Sequence, residues 1–252
     1  MLSEERQKKI VSLVNDNKSM SVLMLAKALE TSESTIRRDI EVLDEKGLIE
    51  KVYGGALAKN VTFTGKDETV TSRLERNRDA KLVIAKYAAK LITDDDFVYI
   101  DAGTTTEFMI PFITAKKATF VTNGFSHARK LSEAGFTTFI LGGEVKFPTE
   151  AVVGEEAVLM LFKYHFTKGF WGTNGINVTG GFSTPDVKEA LIKQMSMSRT
   201  QEKYILSDQS KFSKISCVTF ADFSDATILT TNLDNNLSVY RSYKNIMEVK
   251  EQ

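Results

Sequence analysis

Two groups of residues have types and spacing suited to chemistry. The first is the run Asp101-Ala-Gly-Thr-Thr-Thr106, which continues the short apolar stretch beginning at Phe97. A strand over Phe97–Asp101 that turns at Gly103 delivers Thr104, Thr105 and Thr106 to the opening of a helix. Backbone N–H groups and threonine hydroxyls at such a position suit an anion. The single glycine does not meet the G-x-G-x-x-G pattern, so a phosphomonoester is expected rather than a dinucleotide. The second group is Ser32, Ser34, Thr35, Arg37 and Arg38, at the start of an amphipathic helix. An arginine there can donate two parallel hydrogen bonds to a guanine, a contact worth ~1–3 kcal/mol of discrimination. The hydroxyls suit phosphates or base edges.

Further polar or glycine-rich ends follow other strand candidates: Thr122-Asn123-Gly124, Gly142-Gly143, Gly172-Thr173-Asn174-Gly175 and Asp208–Lys211. In an open α/β sheet, loops beyond the carboxyl ends of strands converge on one edge, where ligands bind. Lys211 would pair with a phosphate; Asp101, Asn123, Asn174 and Asp208 would hold hydroxyls. Each of these residues taken singly is more often a turn residue than a ligand contact.

The elements that must position these groups differ between the two ends of the chain. Ser3 caps a first helix with the apolar stripe Ile10, Leu13 and Val14, and a second stripe follows at Val22, Leu25, Ala26 and Leu29. After a turn at Glu30-Thr31, a third helix buries Ile36, Ile40 and Leu43 and turns Ser34, Arg37, Arg38, Glu41 and Glu45 outward. Gly47 ends it, and Leu48–Tyr53 leads into Gly54-Gly55 as the turn of a hairpin. Residues 58–76 are polar and aperiodic and read as a linker, with Val61–Val70 as the place for a short strand. From Asn77 onward helices alternate with strands at Phe97–Asp101, Thr119–Thr122, Thr137–Leu141, Gly169–Thr173, Tyr204–Ser207, Cys217–Phe220 and Thr227–Leu229. That alternation predicts a mainly parallel, Rossmann-like α/β sheet. The expected organisation is a winged helix-turn-helix over 1–57, a linker over 58–76 and a larger α/β domain over 77–252.

Composition narrows the classes. The chain has 252 residues, 42% hydrophobic and 26% charged, with a formal net charge of zero. Residues 1–58 hold nine Lys/Arg against ten Asp/Glu. Binding to a polyanion would therefore depend on local positive charge at Arg37, Arg38, Lys51 and the Lys8-Lys9 pair. A lone Cys217 excludes an internal disulfide and fits a reducing cytoplasm. His127 and His165 have no Cys/His cluster around them, so neither a metal nor a cofactor is expected. No apolar run reaches the roughly 18–20 residues of a membrane span, and MLSEERQKKI has no apolar core of a secretion signal.

The run from Ser21 to Ala56, with TIRRDI over Thr35–Ile40 and Gly-Gly-Ala over Gly54–Ala56, resembles the helix-turn-helix of the DeoR family of bacterial sugar-operon regulators. Two positions depart from its commonest pattern: Glu30 stands where a turn glycine is frequent, and Tyr53 where a histidine often precedes the glycines. The resemblance continues through the second domain. It implies DNA contacts by Ser32, Ser34, Thr35, Arg37 and Arg38 and by Lys51, Tyr53 and Gly54 of the wing. It also implies a sensor domain with the fold of ribose-phosphate isomerases and glucosamine-phosphate deaminases. A phosphorylated sugar would bind there around Asp101, Gly103, Thr104, Thr105, Thr106, Thr122, Asn123, Gly142, Gly143, Thr173, Asn174, Gly175, Asp208 and Lys211. The partners implied are double-stranded operator DNA, a hexose phosphate such as fructose 1-phosphate or tagatose 6-phosphate, and further copies in a dimer or tetramer.

The kinship leaves an alternative, a sugar-phosphate isomerase or deaminase with a DNA-binding appendage. Enolising a sugar needs a general base near the carbon acid. Related isomerases carry acidic residues where this chain has Gly172–Asn177, GTNGIN, which has no carboxylate. Asp101 and Glu189 are the remaining candidates, and no catalytic residue is assigned. A DNA-binding protein with a purely structural second domain is a third class, in which no sugar phosphate would alter DNA binding.

Overall fold

Serine caps set the phase of the N-terminal helices. In the computed structural model, which describes residues 2–17, 19–59, 62–64 and 69–250, α1 spans Ser3–Asn17, β1 Ser19–Ser21, α2 Val22–Ala28 and α3 Glu33–Glu45. Ser21 Oγ accepts the Met24 N–H at 3.2 Å and Ser32 Oγ accepts the Thr35 N–H at 3.3 Å. Each bond satisfies a donor that the first helical turn leaves without a partner. Glu30 turns the chain between α2 and α3 at φ 49°, the left-handed region that glycine adopts without penalty. Gly47, at φ +69°, ends α3, and the Leu48 N–H returns to the Leu43 carbonyl at 2.9 Å.

Strands β2 (Ile49–Val52) and β3 (Gly55–Ala58) pair antiparallel, and β1 pairs with the other edge of β3. The turn is Tyr53-Gly54 rather than Gly54-Gly55, because Val52 pairs with Gly55. Gly54 supplies the positive φ of +81°. Gly55 lies in the strand, where a Cβ would sit 2.2 Å from the Met20 carbonyl oxygen. The predicted stripes do meet: Ile10, Val14, Leu25, Ile36, Ile40, Leu43 and Ile49 form one dry core. Asp39 is buried in the same helix, held by Arg6 and by Gln7 Nε2 at 3.2 Å.

By its contacts the chain forms two compact units, Met1–Thr62 with Leu233–Ile246, and Phe63–Asn232 with Met247–Gln252. Residues 233–246 thus differ from the sequence expectation, which placed them in the larger domain. Their short 3₁₀ segment, Asn235–Ser242, buries Leu237, Val239 and Tyr240, and Val239 reaches the backbone of Gly55. The stretch expected to be a linker holds β4 (Thr62–Thr64) and α4 (Val70–Glu75), the latter capped by Thr69. Val61 and residues 65–68 of the expected strand lie outside the described residues.

The larger unit continues with α5 (Arg78–Ala89), β5 (Phe97–Ile100), α6 (Thr104–Glu107), β6 (Thr119–Thr122), α7 (Phe125–Glu133) and β7 (Thr137–Ile140). A hairpin of β8 (Glu144–Lys146) and β9 (Ala151–Val153) precedes α8 (Glu155–Leu161) and β10 (Phe166–Trp171). Next come β11 (Gly175–Asn177), β12 (Gly181–Thr184), α9 (Val187–Ser198) and β13 (Thr200–Leu206). The chain closes with β14 (Lys214–Ser216), β15 (Val218–Ala221), β16 (Thr227–Thr230) and β17 (Ile246–Glu248). Seven strands form the main sheet in the order β17-β16-β13-β10-β5-β6-β7. The pairs β16-β13, β13-β10, β10-β5, β5-β6 and β6-β7 are parallel. Such a sheet is covered on both faces, and Val98, Tyr99, Ile100, Phe120, Val121, Phe170 and Trp171 are fully buried on it. The candidate strand at Cys217–Phe220 is a strand, β15, but it belongs to a separate antiparallel sheet with β12 and β11.

Candidate functional site

Strand order locates the crevice of the larger unit. From β5 the chain moves outward to β6 and β7, then returns to β10 and moves the other way to β13 and β16. The reversal falls between β5 and β10, and their carboxyl ends open a ligand crevice there. Asp101–Gly103 follows β5 and Gly172–Asn174 follows β10, and the two loops touch: the Gly172 N–H donates to Asp101 Oδ2 at 3.1 Å. Lys193 on α9 pairs with the same carboxylate and donates to the Gly172 carbonyl at 3.1 Å. Asp101 and Lys193 are both buried, so this pair ties the two loops together.

Further cations line the crevice. Lys81 on α5 donates to Thr104 Oγ1 at 3.1 Å and to the Arg73 carbonyl. Burial lowers the Lys81 pKa from 10.5 to about 8; Asp208 opposes that shift, and Lys211, Arg73 and Arg76 add to it. Nε and Nη2 of Arg73 are buried with no hydrogen-bond partner among the described residues. Arg73, Arg76, Lys81 and Lys211 all line the crevice, with Asp101, Asn174, Glu189 and Asp208 among the acceptors. The arrangement can receive both a dianion and hydroxyl groups.

Of the residues singled out in the sequence, Asp101, Gly103, Thr104, Thr105, Thr173, Asn174, Asp208 and Lys211 line this crevice. The others support it or lie elsewhere. Thr106 Oγ1 closes the turn by donating to the Asp101 and Gly103 carbonyls at 2.6 and 2.7 Å. Its neighbour His127 is buried, and burial lowers its pKa. Thr122 Oγ1 donates to the Ile100 carbonyl, and Asn123 Oδ1 accepts the Ala102 N–H at 3.0 Å. Gly142 and Gly143 sit between β7 and β8, where a Cβ on Gly143 would lie 2.6 Å from the Val153 carbonyl oxygen. Gly175 starts β11, where a Cβ would lie 2.6 Å from the Lys214 carbonyl oxygen. The two carboxylates considered as bases are both committed. Asp101 pairs with Lys193, while Glu189 accepts from Thr149 at 2.6 Å and Lys146 at 3.1 Å.

Arg73, Arg76, Lys81 and Lys193 were not picked out from the sequence. For two of them a signal existed. Lys81 shares the buried stripe of α5 with Ile84, Ala85 and Ala88, and Lys193 shares that of α9 with Ala190 and Met197. A lysine inside an otherwise buried stripe is rarely left there without a polar role.

In the smaller unit, Ser32 caps α3 with Ser34 and Thr35 hydroxyls 2.9 Å from its own. Arg37 and Arg38 are exposed; Arg37 forms a 3.1 Å pair with Glu33. Lys51 on β2 pairs with Glu41 at 2.7 Å, which reduces the local positive charge, and Tyr53 and Gly54 form the hairpin turn. The hydroxyls and arginines expected at the opening of α3 therefore share its exposed, N-terminal half.

Residues 6–62 match the family model of the DeoR-like helix-turn-helix domain, and residues 76–233 match that of the DeoR C terminal sensor domain. The chain is 38% identical over 235 residues to the uncharacterized HTH-type transcriptional regulator FruR of Bacillus subtilis (strain 168), covering 93% of each. It is 33% identical over 252 residues to the lactose phosphotransferase system repressor of Staphylococcus aureus (strain NCTC 8325 / PS 47), covering 99% of each. Among solved structures, ribose 5-phosphate isomerase A from Methanocaldococcus jannaschii aligns with a TM-score of 0.41 and 17% identity, over 54% of this chain and 55% of that one. Among the described residues no helix is long and apolar enough to cross a membrane.

Proposed function

The chain belongs to the DeoR family of helix-turn-helix transcriptional regulators, and we propose that it represses a sugar uptake or catabolism operon until a phosphorylated sugar releases it from operator DNA. It is a regulator of transcription and not an enzyme. The observation that carries the effector reading is the crevice between β5 and β10, which Arg73, Arg76, Lys81 and Lys211 line together with Asn174 and Asp208. Four cations converging on a threonine-lined turn suit a phosphate. The amide and carboxylates among them suit sugar hydroxyls, and a hexose phosphate such as fructose 1-phosphate or tagatose 6-phosphate meets both demands.

The repressor acts as a symmetric oligomer that presents α3 of two heads to half-sites a helical turn apart, ~34–36 Å or a multiple of it. Arg37 and Arg38 read base edges, while Ser34, Thr35 and Lys51 meet phosphates. The effector favours a conformation in which the heads no longer match that spacing, and only such a difference in affinity shifts the population. A panel of phosphosugars and their unphosphorylated counterparts, read by thermal shift and by release of a bound duplex, tests the effector. The reading predicts stabilisation and release by at least one phosphosugar and by none of the free sugars. Equal response to a phosphosugar and its free sugar would overturn it.

A further inference from the structure

We propose that Ser242 and Tyr243, far from the helix-turn-helix in sequence, are positioning residues of the DNA-reading wing. The inference rests on the reading of α3 and the wing as the DNA-contacting face. Both backbone polar groups of Tyr53, the first residue of the wing turn, are engaged by this segment. The Tyr53 N–H donates to the Tyr243 hydroxyl at 2.9 Å. The Ser242 hydroxyl, shared with the Val239 carbonyl at 2.6 Å, lies 3.0 Å from the Tyr53 carbonyl. The two tyrosine rings meet edge-on with centroids 6.1 Å apart.

The glycines of the turn fit the same arrangement. A Cβ on Gly54 would lie 2.9 Å from Ser242 Oγ, and one on Gly55 would lie 2.9 Å from Val239 Cγ2. The segment is itself fixed to the head, because Tyr240 and Val239 are buried and Ser19 Oγ donates to the Asn236 carbonyl. β1 and the core hold the strands of the hairpin, and the Val22 N–H donates to the Gly54 carbonyl at 2.8 Å. The Tyr53 side of the turn is held by residues 242 and 243, which help to fix where Tyr53 and Gly54 stand relative to α3. With its backbone groups taken, Tyr53 has its side chain left to offer DNA; the residue is 73% exposed. The segment also gives the head chain connections to the larger unit beyond that at residues 62–63.

The test uses the full chain and a duplex that the wild type selects from a randomised library. Tyr243→Phe with Ser242→Ala removes both hydroxyls and keeps the ring. Amide hydrogen exchange at Tyr53 is expected to quicken roughly tenfold, and Kd for the selected duplex to rise roughly five- to tenfold, as the loss of one or two modest hydrogen bonds implies. Binding to a scrambled duplex stays at the wild-type value, the melting temperature falls by no more than the few degrees that one or two modest hydrogen bonds carry, and Ser242→Thr, which keeps a hydroxyl, retains wild-type affinity. Faster exchange with unchanged Kd overturns the positioning role, as do wild-type exchange and wild-type Kd together. A wild-type chain that selects no duplex overturns the DNA reading along with it. Loss in Arg37→Ala with Arg38→Ala, but none in the hydroxyl variant, overturns the wing role alone.

Discussion

Lys81 carries a cost that an anion can remove, and replacing it with methionine should make the empty protein more stable while abolishing its response to ligand. Lys81 is 5% exposed, and its ammonium meets the Thr104 hydroxyl and the Arg73 carbonyl. Its pKa falls from 10.5 to about 8. At ~1.4 kcal/mol per pH unit, that displacement corresponds to a penalty on the order of 3 kcal/mol on the charged form. Below pH 8 the lysine is charged in the folded and unfolded chain alike, and the whole penalty is present. Between about pH 8 and 10.5 the folded chain sheds its proton first, so the penalty fades and wild-type stability rises toward that of the variant.

Lys81→Met keeps an unbranched stem and removes the charge. Two lost hydrogen bonds take back roughly 1–2 kcal/mol, leaving a net gain on the order of 1–2 kcal/mol at pH 7. At roughly 2–4 °C per kcal/mol, the transition of the larger unit rises by about 2–8 °C. The gain should shrink as pH approaches 10.5. Wild-type affinity for the best phosphosugar should weaken as pH rises past about 8, because the bound dianion needs Lys81 protonated. Scanning calorimetry at pH 7 and 9.5, with and without that phosphosugar, reads all three effects. A variant that melts below the wild type at pH 7, or that is still stabilised by the phosphosugar, would refute the reasoning.

Three further outcomes are expected. Arg37→Ala with Arg38→Ala should lose about 1–3 kcal/mol of operator affinity for each arginine that reads a base, and relax the sequence preference; a gel-shift series at fixed salt concentration with operator and altered duplexes checks it, and wild-type binding would remove α3 as the reader. Lys193→Met leaves the Asp101 carboxylate, 1% exposed, without its ammonium and should cost about 3–5 kcal/mol, partly recovered by adding Asp101→Asn. Urea unfolding measures both, and a loss under about 1 kcal/mol for the single change would show the pair to be incidental. Glu30→Gly relieves a left-handed backbone at φ 49° and should stabilise the head by roughly 0.5–1 kcal/mol, so a lower melting temperature would mean that the Glu30 side chain supports the turn.

Local signals were enough for the helix-turn-helix of the smaller unit and the parallel sheet of the larger, though not for the place of residues 233–246 or of β15. Helix period and serine caps place α1, α2 and α3, because amphipathic stripes and capping depend on residues three or four apart. The alternation of apolar strands with helices dictates a parallel sheet, because strands buried on both faces need crossovers between them. The Asp101–Thr106 turn was legible for the same reason, since all its chemistry lies in six consecutive residues. Which loops share the crevice was not legible. Gly142-Gly143 and Thr173-Asn174 both read as loops at strand ends, yet only the latter follows a strand beside β5, and strand order is a property of long-range pairing. Arg73, Lys81 and Lys193 reach the site from three helices, and Tyr243 reaches the wing turn from 190 positions away. Such approaches are set by how packed faces meet, and no local spacing records them.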